Sequence, residues 1–264
     1  MIRNFAGLTT FILAVSTLTL TYAAPALASD PFYECYFNQT HCYSIAAAEN
    51  NYYGAESNFN DNSLTVPSSE VDNGSHMSNE IWLITANATQ SHTALWVEFG
   101  VARGCSKIVG PGETCSGIGG TNYYMKFWAT ADQNGGFHFH PFGETSSHDG
   151  VNHTFQIWNS SAGNNNDYST WLGTNGTFTL IGTATDQIYP SGFALNAGME
   201  LASAPGIDGN ESSTSFGNRV QVYRVGQTTW DVSTLDSGTV HNISQFDDTV
   251  NLAMDPRSEF AQGK

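Results

Sequence analysis

Ala94-Leu95-Trp96-Val97-Glu98-Phe99-Gly100-Val101 alternates without a break. In an extended strand successive side chains point to opposite faces. Leu95, Val97, Phe99 and Val101 therefore share one face, apolar throughout, which can only be a core face. Trp96, Glu98 and Gly100 share the other, so a carboxylate sits between a large ring and a residue with no side chain. A second stretch, Leu195-Asn196-Ala197-Gly198-Met199-Glu200-Leu201, repeats the arrangement. Its Leu195, Ala197, Met199 and Leu201 face one way, and Gly198 and Glu200 the other. Period-two segments of this kind are half-buried strands.

Outward from these two, the chain reads as short runs of β-branched and aromatic residues separated by Gly, Asn, Asp, Ser and Pro clusters. Strands are expected at 63–66, 81–86, 92–101, 123–131, 137–140, 154–158, 177–183, 193–202, 219–225 and 229–232, with long polar loops at 104–122, 143–152, 160–167 and 203–217. So many short strands imply an all-β fold, a jelly-roll-like (concanavalin-like) sandwich of two mainly antiparallel sheets. One such domain is expected over 52–253. Before it, 29–51 reads as a lead-in with a cysteine-closed loop and one helical turn at 45–49; after it, 254–264 reads as a frayed tail.

Only 12% of the 264 residues are charged, about half the usual share, and 24 acidic residues against 8 Lys and Arg give a net charge of -16. Such a surface repels nucleic acid and anionic membranes, so neither is an expected partner. Residues 1–28 carry a signal-peptide pattern: Arg3, an apolar run over 5–20, and Ala26-Leu27-Ala28 as the cleavage site. An exported, extracellular, monomeric protein with no membrane contact after cleavage is expected. An even cysteine count in an exported chain suggests disulfides. The sequence-local pairing joins Cys35 to Cys42 and Cys105 to Cys115, among three possible connectivities. Zinc is the weaker reading, because no C-x-x-C spacing is present.

In 123–131, Tyr123, Met125, Phe127 and Ala129 are expected to face the core, leaving Tyr124, Lys126 and Trp128 outward; in 137–140 the phenylalanines go in and His138 and His140 out. The outward face then gathers Trp96, Glu98, Tyr124, Lys126, Trp128, His138, His140, Trp158 and Glu200, a mixed aromatic and ionisable surface suited to a substrate groove. Two readings of Glu98 and Glu200 stand side by side. Each is a solvated residue on an exposed sheet face, or the two approach, and one then holds a proton while the ionised one activates water. His138 and His140 have a metal-ligand spacing, but two surface histidines lining a groove is the plainer reading. No metal and no cofactor is expected.

The order of segments resembles the neprosin family of glutamic peptidases. Tyr52-Tyr53-Gly54-Ala55 is similar to the opening of that domain, and Glu80-Ile81-Trp82-Leu83-Ile84 to its Gln-Ile-Trp-Leu-Val strand. Glu98-Phe99-Gly100-Val101 falls where the family has Glu/Gln-x-Gly-Trp, 127–132 resembles Tyr-Trp-Thr-x-Asp, and 197–201 resembles the late Gly-Gly-Glu-Val. The family's cysteine pair after Tyr-Trp-Thr-x-Asp is missing here, as is its late Gly-Tyr-Trp-Pro. A fainter likeness to the eqolisin glutamic peptidases rests on Ser63-Leu64-Thr65-Val66-Pro67. The resemblance implies an acid-acting glutamic endopeptidase with a peptide or protein substrate and a preference near proline. Glu98 would be the general base and Glu200 the acid, a split that reverses readily because such a pair titrates together. Trp96, Tyr124 and Trp128 would line the groove. The rivals are a lectin-like glycan-binding sandwich and a two-carboxylate glycosidase.

Overall fold

A computed structural model describes residues 41–60, 64, 66, 68–87, 94–110, 112–145, 149–202, 214–232 and 260–263. The expected signal segment, most of the lead-in with Cys35, and 254–259 of the expected tail lie outside the described residues. The strands are β1 (His41–Asn60), β2 (His76–Ala86), β3 (Leu95–Cys105), β4 (Asn122–Ala131), β5 (Phe137–Thr145) and β6 (Asn152–Trp158). They continue with β7 (Tyr168–Thr174), β8 (Thr177–Ala184), β9 (Gly192–Ala202), β10 (Thr214–Arg224), β11 (Asp231–Val232) and β12 (Phe260–Gly263). A five-residue helix, α1 (Ser68–Asp72), is the one helix among the described residues. No helix among them is long and apolar enough to cross a membrane.

The fold is all-β, and every pairing among these strands is antiparallel. The order is β5-β4-β3-β2-β9-β1-β6-β7-β8, with β10 beside β1. One hydrogen-bonded sheet therefore makes both layers. It turns the corner through the 20 residues of β1, whose first part pairs β9 and whose second part pairs β6 and β10. A register shift between Glu49 and Tyr52 marks the bend, as bulges commonly do.

The core lies between the layers and is the odd-numbered face of β3. Leu95, Val97 and Phe99 are fully buried, and Phe99 meets Phe155 of β6 edge-on, with ring centroids 4.9 Å apart. Ile81 and Leu83 of β2 and Leu195 and Ala197 of β9 complete that layer. A Cβ on Gly182 of β8 would sit 2.4 Å from the Trp128 ring of β4, so the layers close tightly there as well. Phe99→Ala leaves a ring-sized hole in this contact. A loss of about 3–5 kcal/mol is expected, read as a fall in the urea midpoint with unchanged slope.

Several expectations are corrected. Residues 45–49 form no helical turn and 41–51 is no lead-in: both belong to β1, in the middle of the sheet, where Ala48 is buried opposite Leu195. The sequence Ala46-Ala47-Ala48-Glu49 favours a helix locally, but two strand partners override it. Residues 260–263 pair with β10 as β12 rather than forming part of a frayed tail. β7, where no strand was expected, is a strand between β6 and β8. The Cys105–Cys115 disulfide is present. It closes a loop tied to α1, where Asp72 accepts backbone hydrogen bonds from Cys115 and Ser116.

Candidate functional site

Three neighbouring strands, β3, β2 and β9, carry the site on the face turned away from the core. In the register, Glu98 lies opposite Trp82, Glu200 lies opposite Ser78, and Glu80 stands between those levels on the middle strand, with Gly100 on one side and Gly198 on the other. The three carboxyls thus run along one diagonal of the sheet. Diagonal neighbours lie about 7–8 Å apart at the backbone, within reach of long side chains. All three are buried: Glu80 is 0% exposed, Glu98 5% and Glu200 7%. The glycine at position 100 is required by close approach. A Cβ there would sit 2.2 Å from the Asn79 carbonyl oxygen and 2.5 Å from the Glu80 Cβ.

Glu98 accepts a hydrogen bond from the Trp96 indole Nε1 at 2.8 Å, with Trp82 a second side-chain donor. Those bonds favour the anion, but burial and the Glu200 charge outweigh them and push Glu98 up to about 8. Burial pushes Glu80 well above the usual carboxylate range, helped by the charges of Glu98 and Glu200. Its Oε1 accepts from the Ser78 hydroxyl at 2.8 Å, which works the other way. Its Oε2 is buried without a conventional donor, and the Glu200 carboxyl lies within hydrogen-bonding reach of Glu80. Two carboxylates can only accept, so that contact is a hydrogen bond only when one of the two carries a proton.

The aromatic residues beside the carboxyls differ from those expected. Trp96 shares the glutamate face and packs against Phe137 with centroids 6.4 Å apart; Phe139 lies 6.4 Å from Phe137 and 5.2 Å from Phe127. Phe137 is 45% exposed, an unusual state for a large ring and the open end of this wall. Tyr124, Trp128, His138 and His140 are on the opposite face. Ala129, not Trp128, pairs with Glu98, and Phe139, not His140, continues that row. Tyr124 and Trp128 pack against the main core, and Tyr124 donates its hydroxyl proton to the Leu64 carbonyl at 2.6 Å. His140 stacks on Trp128 at 3.9 Å, and His138 bonds Asp132 at 2.8 Å.

The physical reason is that both faces of β4 are apolar and both are covered. Met125, Phe127 and Ala129 form a smaller cluster with Ala102 on the glutamate side. Alternation then gives no vote on which face is which. Glu80 was missed for a different reason. Met77, Ile81 and Leu83 against Ser78, Glu80 and Trp82 is the same period-two split as in β3. That signal, followed three residues upstream of Leu83, places Glu80 on the Glu98 face. No group of His, Cys, Asp and Glu that could hold a metal occurs among the described residues.

No protein-family model matches the chain, and no curated protein matches it. Among solved structures the chain is similar to SCP-B, a member of the eqolisin family of peptidases, in a complex with the tripeptide Ala-Ile-His. The TM-score is 0.44 and the identity 10%, over 85% of this chain and 98% of that one. No residue role is carried over from that likeness.

Proposed function

We propose that this chain is a secreted, acid-acting glutamic endopeptidase whose working carboxyls are Glu98 and Glu200. The observation that carries the reading is a line of three buried carboxyls on one sheet face, ending beside an aromatic wall with an exposed ring. Burying three carboxyls together is costly, and carboxyls perturbed in this way concentrate at functional sites. The acid-rich composition fits work at low pH, where self-repulsion is smallest.

The roles follow the proton inventory and reverse the assignment the resemblance suggested. Glu98, held at about 8, is neutral in acid and is the proton donor. Glu200, at the other end of the diagonal, is the base. Glu200 takes a proton from water as the water oxygen bonds to the scissile carbonyl carbon, and Glu98 gives its proton to the carbonyl oxygen. In the second step Glu200 passes its proton to the leaving nitrogen and the C–N bond breaks. Glu98 recovers its proton as the carbonyl re-forms, so the enzyme ends as it began. Trp96, Phe137 and Phe139 flank the substrate chain with apolar rings, a surface that accepts the flat ring of proline.

The test is digestion of a denatured protein at about pH 4 and about pH 7, with new termini read by mass spectrometry. Cleavage enriched beside proline is expected in the acid sample, and it should fade only where Glu98 gives up its proton, at about 8. Release of sugar from glycans without peptide cleavage would replace this reading with the glycosidase, and glycan binding without turnover with the lectin-like sandwich.

A further inference from the structure

Glu80 has no part in the two proton transfers above, yet it is the most deeply buried of the three carboxyls. We propose that Glu80 is a positioning residue that holds a proton and donates it in a hydrogen bond to Glu200, so that Glu200 stays anionic in acid. The proposal rests on the peptidase reading for its kinetic consequence, though not for its structural content.

Four observations carry it. Glu80 stands at the midpoint of the diagonal, opposite a glycine on each neighbouring strand. Glycine on both flanks leaves its side chain free to reach along the sheet toward Glu200. The Ser78 hydroxyl occupies Oε1, and Ser78 lies opposite Glu200 in the register, so the serine fixes the carboxyl from the Glu200 side. Oε2 is sealed from water with no conventional donor, while the Glu200 carboxyl is the acceptor within reach. A neutral Glu80 satisfies that geometry with its own O–H; an ionised one leaves two buried acceptors facing each other. Among the described residues, the titratable groups that face Glu80 are Glu98 from β3 and Glu200 from β9, both acidic. On β1, Tyr43 holds the register position opposite Glu200. Every named charge that bears on Glu80 therefore favours its neutral form.

The consequence for Glu200 is specific. A buried carboxylate with a donor remains ionised to lower pH than one without. Glu80→Gln keeps an N–H donor at the same place and drops the titration; Glu80→Ala removes the Glu80 donor from among the groups around Glu200. The acid limb of the kcat/KM profile is expected to move upward by about one pH unit in Glu80→Ala and to stay in place in Glu80→Gln. A merely structural role would lower activity at all pH values and leave the limb where it was. Infrared difference spectra of the full chain at neutral pH supply a reading independent of turnover. The carbonyl stretch of protonated carboxyl groups is expected in the unaltered protein, and Glu80→Gln should remove one contribution from it. Failure of proteolysis with that loss intact would end the peptidase reading alone. An unmoved acid limb in Glu80→Ala, or an unchanged carboxyl band in Glu80→Gln, overturns the role of Glu80. If the alanine variant does not fold, the infrared comparison with Glu80→Gln decides by itself.

Discussion

Glu98→Gln and Glu200→Gln, made singly, are each expected to lower acid peptide hydrolysis by about 10²–10⁴-fold, the usual scale for loss of a positioned acid or base. The two should differ in every other respect. Gln at 98 keeps an acceptor for the Trp96 indole and still offers an N–H to a carbonyl oxygen, but it has no proton to hand over. Substrate binding should therefore persist, and the loss should fall on kcat. Gln at 200 cannot take a proton from water and turns an N–H toward a neutral Glu80. Its activity should be lost at every pH, without a shifted profile to recover it. Folding gives the control. Removing a titratable group that burial holds neutral abolishes a pH-dependent cost, so Glu98→Gln should be at least as stable as the unaltered protein at neutral pH. Full activity in either variant, measured on the denatured-protein substrate, would remove these residues from the mechanism.

How much of this was readable beforehand differs strand by strand. β3 was legible because its two faces differ sharply: Leu95, Val97 and Phe99 are buried between the layers, and Glu98 is on the other side. β9 was legible for the same reason. β4 was misread in orientation because Phe127 and Trp128 are equally apolar, and only the pairing of Ala129 with Glu98 breaks the tie. That pairing is a tertiary fact, and it puts Trp128 on the side that closes against Gly182 of β8. β1 was hidden by its alanines, which carry helix propensity but almost no volume. They suit a strand that must turn a corner between two partners. The meeting of Glu98 with Glu200 depended on which strand lies between β3 and β9. Sequence order puts β4 to β8 there, whereas the sheet puts β2 there. The alternation of β2 reports which face Glu80 takes, but only that topological choice brings it between Glu98 and Glu200.

Stability should fall as the pH rises from about 4.5 to about 8, the reverse of the behaviour of an ordinary salt-bridged protein. The sign follows from the proton count. Unfolded, Glu98 and Glu80 release their protons near the ordinary 4.5; folded, Glu98 keeps its own to about 8 and Glu80 is also raised well above 4.5. Between those limits the folded state binds protons that the unfolded state has lost, so raising the pH favours unfolding. Each such proton contributes a slope of about 1.4 kcal/mol per pH unit over the part of the window where only the folded state holds it, so the decline is read as a steady fall rather than a step. Below about 4.5 both states are protonated at these sites and the contribution is fully present. Asp72 and Asp132 oppose the trend, since their hydrogen bonds hold them below the usual range, but they act only under about 3.8, below the window. The optimum therefore falls in mild acid, where the proposed reaction runs. Urea midpoints measured across this interval should decline steadily, and the double variant Glu80→Gln, Glu98→Gln should flatten the decline. A midpoint that climbs between about 4.5 and about 8 would mean that these carboxyls are ionised in the folded protein. The proton-donor role of Glu98 and the proton-holding role of Glu80 would then fail together, because both depend on a buried acid that keeps its hydrogen in neutral water.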